Sequence, residues 1–280
     1  MRVLASILLL SLAAGCAGDN LTPAPALPSP TPTGATPSCV PNLDGVITAA
    51  EMNPALDVPE NFFVSTADHA VDLAGASIAS GTTWSWDYAA TGDAGFQLKG
   101  TSLTGKWYAG YFPAGEFTAP VDAAGTTMGV YKKDDTAVYL LGVASTEMNP
   151  PSGRVLLPYT APVALYKFPL QVGAAWTSHG TVTNGTFNGA PYSGYDTYDV
   201  SVDGQGSLVL TDMTFDQVLR IRTNVTIQPA FGYTSTRKLA GFFFECFGEV
   251  ARATSQLNET NENFTTASEI RRLGLPPQGS

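Results

Sequence analysis

The chain has 280 residues, 44% hydrophobic and 14% charged, with 14 Lys and Arg against 24 Asp and Glu for a net charge of -10. The hydrophobic share describes a globular body over most of the length and excludes general disorder. The acidic balance excludes nucleic acid as a partner, because such binding rests on Lys and Arg neutralising phosphates.

The first fifteen residues read as an export signal: Arg2 gives the positive start, residues 3–12 the apolar run, and Ala13-Ala14-Gly15 the small residues a peptidase needs. The apolar run is about ten residues, half of the roughly 20 that a spanning helix requires. The stretch Leu12-Ala13-Ala14-Gly15-Cys16 resembles the lipobox of bacterial lipoproteins. The resemblance implies acylation of the Cys16 thiol and a membrane partner reached through that lipid anchor. Ala17 stands where Asp resembles an inner-membrane retention signal, so the implied address is the outer membrane. The alternative is an ordinary secretory signal cut elsewhere, with Cys16 incidental.

Residues 17–38 are dominated by Pro, Ala, Thr and Ser with a single charge. That composition favours extended polyproline-like geometry and leaves nothing to bury, so it is expected to be a tether. Once Cys16 is lipidated, Cys39 and Cys246 remain, an even number in a compartment where disulfides persist. Paired, they close a loop of roughly 200 residues, worth about 5 kcal/mol in the chain-entropy account; unpaired, they are two buried thiols.

Residues 39–59 hold the one stretch with metal-ligand spacing. Asn42, Asp44, Gly45, Ile47, Thr48 and Glu51 match positions 3, 5, 6, 8, 9 and 12 of an EF-hand calcium loop, with Val46 offering its carbonyl at position 7. Position 1, normally Asp, is Val40, which removes an oxygen and a charge from a Ca2+ site. The competing reading is a metal-free turn at Asp44-Gly45 into a short helix that Pro54 stops.

From residue 60 the pattern becomes short β-branched and aromatic runs punctuated by Gly, Pro, Asn and Asp. Strands are expected at 61–66, 82–88, 127–132, 136–145, 154–159, 163–168, 195–202, 207–210, 217–227, 234–239 and 242–254. Turn candidates are 133–135, 184–185, 188–189, 203–206 and 211–212, and residues 146–152 are a candidate link between two sub-lobes. No stretch between 60 and 255 keeps a helical apolar period beyond two turns. The fold class is all-β and antiparallel, a curved half-barrel or a sandwich, because a flat sheet leaves its edges open. In the tail, 256–280, residues 265–273 are expected to form a helix capped by Thr265 or Thr266, with Arg271 and Arg272 at its C-terminal end.

Phe168-Pro169-Leu170-Gln171-Val172-Gly173 with Trp176, then Val218-Leu219-Arg220-Ile221-Arg222, then Phe244-Glu245-Cys246-Phe247-Gly248-Glu249-Val250, together with 39–51 and 264–273, resemble a group of uncharacterised lipoproteins of myxobacteria and related bacteria. The order is more loosely similar to periplasmic proteins with an open curved β-sheet of the lipoprotein-carrier kind. The resemblance implies a fold and an address and supplies no catalytic residues.

Chemistry is sparse. His69 and His179 sit in separate segments without zinc spacing. Ser77, in Gly75-Ala76-Ser77-Ile78-Ala79, lacks the final glycine of a nucleophile elbow. Carboxylate pairs for glycoside hydrolysis are Asp134 with Asp135, Asp196 with Asp199, and Glu245 with Glu249. Glu245, among Phe242, Phe243, Phe244 and Phe247, calls for a partner such as Arg220 or Arg222. Trp84, Trp86, Trp107, Tyr108, Tyr111, Phe112, Trp176, Tyr192, Tyr195 and Tyr198 suit either a groove for glycan or lipid or the core. The expectation is a non-enzymatic envelope lipoprotein that binds a glycan, lipid or envelope protein. The alternatives are a cell-surface hydrolase and a lipid or lipoprotein carrier, the last requiring an open apolar sheet face.

Overall fold

The computed structural model describes residues 39–275, with 53, 79 and 80 excepted. The export signal, Cys16 and the Pro-rich stretch lie outside the described residues. The body opens with β1 (Glu60–Ser65), β2 (His69–Ala70), β3 (Ala76–Ile78), β4 (Gly81–Trp86), β5 (Ala94–Leu98) and β6 (Thr101–Ser102). It continues with β7 (Phe117–Pro120), β8 (Thr127–Lys133), β9 (Ala137–Ser145), β10 (Leu156–Lys167) and β11 (Ala175–Phe187). The last five are β12 (Ala190–Leu210), β13 (Thr214–Pro229), β14 (Ser235–Phe244), β15 (Gly248–Ser255) and β16 (Thr266–Leu273).

All belong to one open sheet with the order β5-β1-β16-β15-β14-β13-β12-β11-β10-β9-β8-β7-β6, antiparallel along this path. Off the path, β2 pairs with β16, β3 with β4, and β4 runs parallel to the second half of β12. The sheet folds over on itself, since the rings of Tyr166 on β10 and Phe243 on β14 lie 4.8 Å apart although three strands separate them in the sheet order.

Alternation along the strands sorts side chains into two faces. From β13 to β16 one face carries Val218, Phe242, Val250 and Ile270, which pack with Trp84 and Trp86 of β4 into the largest apolar cluster. The other carries Leu219, Ile221 and Phe243, which pack with Ile47 and Leu170. A third cluster around Val130, Leu141, Tyr108 and Phe112 stabilises the β7 to β10 side.

Several expectations are corrected. Among the described residues there is no α-helix; the helix expected after residue 48 is a single 3-10 turn, Ala50–Met52. The expected C-terminal helix is β16, seated between β1 and β15. Helix propensity is a weak prior that two ladders of backbone hydrogen bonds override. Ile270, Arg271 and Arg272 are buried in succession, as a strand covered on both faces requires. Arg272 does not serve a helix end; it donates to the Tyr88 carbonyl and pairs with Asp93.

The spans 195–202 and 207–210 are one strand, and 203–206 is no hairpin turn but a pair of register shifts within β12. The glycine there makes room, since a Cβ on Gly206 would lie 2.0 Å from the Thr82 carbonyl oxygen of β4. The span 242–254 is two strands turned at Cys246, whose φ is 68°. Residues 154–159 and 163–168 merge into β10 across an irregularity, and 146–152 lies in the turn joining β9 to β10, which pair directly. Asn184-Gly185 lies inside β11, whereas Asn188-Gly189 does turn the chain into β12.

Candidate functional site

The folded sheet forms a half-open cavity of about 500 Å³ between β7 to β10 on one side and β13 to β16 on the other. This lies within the roughly 300–1,000 Å³ of small-molecule sites. Leu140, Ile221, Leu239 and Phe243 give it apolar walls, and Tyr131, Tyr166 and Tyr198 line it with phenol rings. Burial pushes Tyr131 up to about 12 and raises Tyr166 and Tyr198, so all three present neutral rings at physiological pH. Met52 closes part of the wall from the N-terminal segment.

That segment is fastened at several points. Cys39 and Cys246 form a disulfide. Ile47 and Leu170 exchange backbone hydrogen bonds of 2.9 Å, and Cys246 N–H donates to the Glu51 carbonyl at 2.9 Å. Glu245, 3% exposed, accepts from the backbone N–H groups of Asn42 at 2.7 Å and Leu43 at 2.8 Å. These are the partners its burial demands. The expected pairing with Arg220 or Arg222 is absent among the described residues, because both guanidinium groups hold Asp203, at 2.7 and 3.0 Å.

The residues with calcium-loop spacing use their oxygens locally. Asn42 Oδ1 accepts from Asp44 N–H, Asp44 Oδ1 from Val46 N–H, and Glu51 Oε2 from both the N–H and the hydroxyl of Thr48. Glu51 reaching back to Thr48 N–H is one half of a capping box; the Thr48 hydroxyl donates to the same carboxylate, and Glu51 N–H donates to the Thr48 carbonyl. Among the described residues no group of three or more His, Cys, Asp or Glu is placed to hold a metal ion.

At the polar end of the cavity, Arg252 of β15 reaches Glu249 and Glu269 at 3.5 Å each, and Arg271 of β16 donates to Glu269 at 3.1 Å. Burial pulls Arg252 down, but the two carboxylates outweigh it and the net shift is upward. Arg271, 2% exposed, is lowered chiefly by burial, with Arg252 adding to the fall. Both carry a buried Nε without a hydrogen-bond partner among the described residues. Glu60 of β1 is raised by burial and by nearby Glu249. Arg237 also lines the cavity and, among the described residues, has no carboxylate within ion-pair distance.

Along β12, Asp196 accepts a 2.7 Å hydrogen bond from the Tyr159 hydroxyl, which lies 3.2 Å from that of Tyr198. Burial raises Asp196. The other carboxylates singled out in the sequence are scattered. Asp134 accepts from Thr136 in an exposed turn, and Asp199 from Thr177 at 2.6 Å. His69 stacks on Tyr88 and His179 on Tyr195, and Ser77 lies in β3.

Of the aromatic residues, Trp84, Trp86, Tyr108 and Phe112 are core, and Trp176 packs against the Leu219 cluster; Tyr198 alone of that set lines the cavity. Arg252, Glu269 and Arg271 escaped sequence reasoning. Glu269 and Arg271, two apart on β16, carried an alternation signal that the helical reading hid; Glu249 and Arg252, three apart, share a face only through the register shift of β15 against β14, which the sequence does not announce. Comparisons of the chain with protein-family models, with curated proteins and with solved structures each find no match.

Proposed function

We propose that the protein is an exported, acyl-anchored bacterial envelope protein whose β body binds a small amphiphilic molecule in the folded-sheet cavity without transforming it. The observation that carries this reading is the cavity's chemistry: apolar walls and neutral phenols, with Glu249 and Glu269 committed to guanidinium groups and Asp122 accepting from the N–H and hydroxyl of Thr126. A glycosidase needs one carboxyl free to deliver a proton and a second free to attack or to activate water. Arg237 offers a polar head group a charged contact beside Leu239 and Val225. The export signal and the Cys16 lipobox support the address, and the Cys39–Cys246 bond is of the kind that oxidising compartments keep.

The test is titration with an environment-sensitive naphthalene probe. One site per chain is expected, abolished by Ile221→Trp, which fills the cavity. Intact-mass measurement of the native protein tests the lipid on Cys16 separately.

A further inference from the structure

Two hairpin tips lie side by side at one end of the sheet. Gly194 of β12 pairs with Pro229 of β13, and Ala230 N–H donates to the Ser193 carbonyl at 2.9 Å, so the β13–β14 loop sits beside the start of β12. Phe231 and Tyr233 in that loop are 95% and 96% exposed, the most exposed large apolar side chains described. Phe187, Tyr195 and Ile227 are also exposed nearby. Residues 168–195 and 223–236 contain no Asp, Glu, Lys or Arg, in a chain whose net charge is -10.

The geometry points to this aromatic end as a surface that docks on a lipid bilayer. Phe231 and Tyr233 flank Gly232 at a tip and stand free of neighbours, whereas a protein partner of ordinary size needs about 800 Å² of matched surface on each side. Interfacial lipid accepts single aromatic rings, the ring at headgroup depth and the tyrosine hydroxyl in water. The two tips themselves carry no carboxylate; the adjoining β15–β16 loop, joined to Thr236 through Asn258, carries Glu259 and Glu262, and Lys238 pairs with Glu262, which limits the repulsion from anionic headgroups that an acidic protein meets. The docking end lies at the opposite end of β14 from Cys246, where Cys39 is fastened. At about 3.4 Å per residue β14 is ~34 Å long. Twenty-two residues lie between Cys16 and Cys39, and a fully extended chain spans up to about 3.3–3.6 Å per residue, so chain length alone does not forbid an anchor at Cys16 and the tip from meeting one membrane. The inference does not depend on what the cavity holds.

The test uses residues 39–280, which contain the disulfide and all three apolar clusters, floated with phosphatidylethanolamine–phosphatidylglycerol vesicles. The body is expected to float, and Phe231→Ser with Tyr233→Ser to weaken vesicle binding about tenfold without changing the melting temperature. Val40→Ser, at an exposed position at the other end, is expected to float as the parent does. Failure of the parent to float, equal flotation of the double variant, or capture by peptidoglycan sacculi in place of vesicles overturns the inference.

Discussion

Cys39 and Cys246 are bonded across a sequence separation of 207, fastening the start of the described chain to the turn between β14 and β15. A closed loop of that length is worth about 5 kcal/mol through the entropy it removes from the unfolded chain. Cys39→Ser with Cys246→Ser is therefore expected to lower unfolding free energy by about that amount in urea denaturation. A loss below about 1 kcal/mol would mean that the other fastenings of the N-terminal segment suffice.

Those other fastenings centre on Glu245. Its carboxylate satisfies two backbone N–H groups, and hydrogen bonds to charged groups contribute about 1.5–3 kcal/mol each. Glu245→Ala is expected to cost about 3 kcal/mol and Glu245→Gln less, since one amide oxygen remains to accept. Thermal melts of the two variants and of each combined with Arg220→Ala check the assignment: Arg220 serves Asp203, so its loss should simply add to that of Glu245, whereas a shared partner would make the double variant less than additive.

The buried charges of the cavity behave as a unit. Arg252→Met leaves Glu249 without its guanidinium and weakens the hold on Glu269, and breaking a buried pair in this way costs about 3–5 kcal/mol. Adding Glu249→Leu and Glu269→Leu is expected to recover much of that loss, because the uncompensated carboxylates are then gone. Denaturant midpoints of the single and triple variants distinguish a coupled cluster from independent surface pairs.

How much of this was legible in the sequence differs between elements. The all-β class and the span of β9 followed from apolar, β-branched and aromatic runs bounded by turn residues, and Asn188-Gly189 announced its hairpin. The β16 strand did not, because Thr, Ser, Glu and Arg around Ile270 satisfy helix cap and dipole rules locally, while its ladder to β1 comes from the other end of the described chain and adds to the one with neighbouring β15. Gly204 and Gly206 looked like a turn for the same reason: only the parallel approach of β4 explains them. β11 was passed over because its inward residues include Gly180, where a Cβ would lie 2.7 Å from the Tyr159 ring. The disulfide was readable from cysteine parity. The cavity was not, since it depends on how far the sheet folds.

Stability should depend on pH through Glu60 and Asp196. Both carboxyls are raised above their ordinary values, 4.5 and 3.8, and burial is the leading cause in each. The folded state then holds protons that the unfolded state has released, so their contribution is fully present below those ordinary values and is lost as pH rises through the folded ones. Glu60→Gln and Asp196→Asn are expected to flatten the decline in melting temperature as pH rises above those ordinary values. An unchanged slope in both would show that neither group titrates in that window.

The central claim is that the cavity between β9 and β14 carries an amphiphile, and native mass spectrometry of the protein isolated gently from its own envelope tests it most directly. One bound lipid-sized adduct per chain is predicted, lost in Ile221→Trp while the fold and the disulfide persist. A bare mass in the parent protein, or the same adduct in the filled variant, would contradict it.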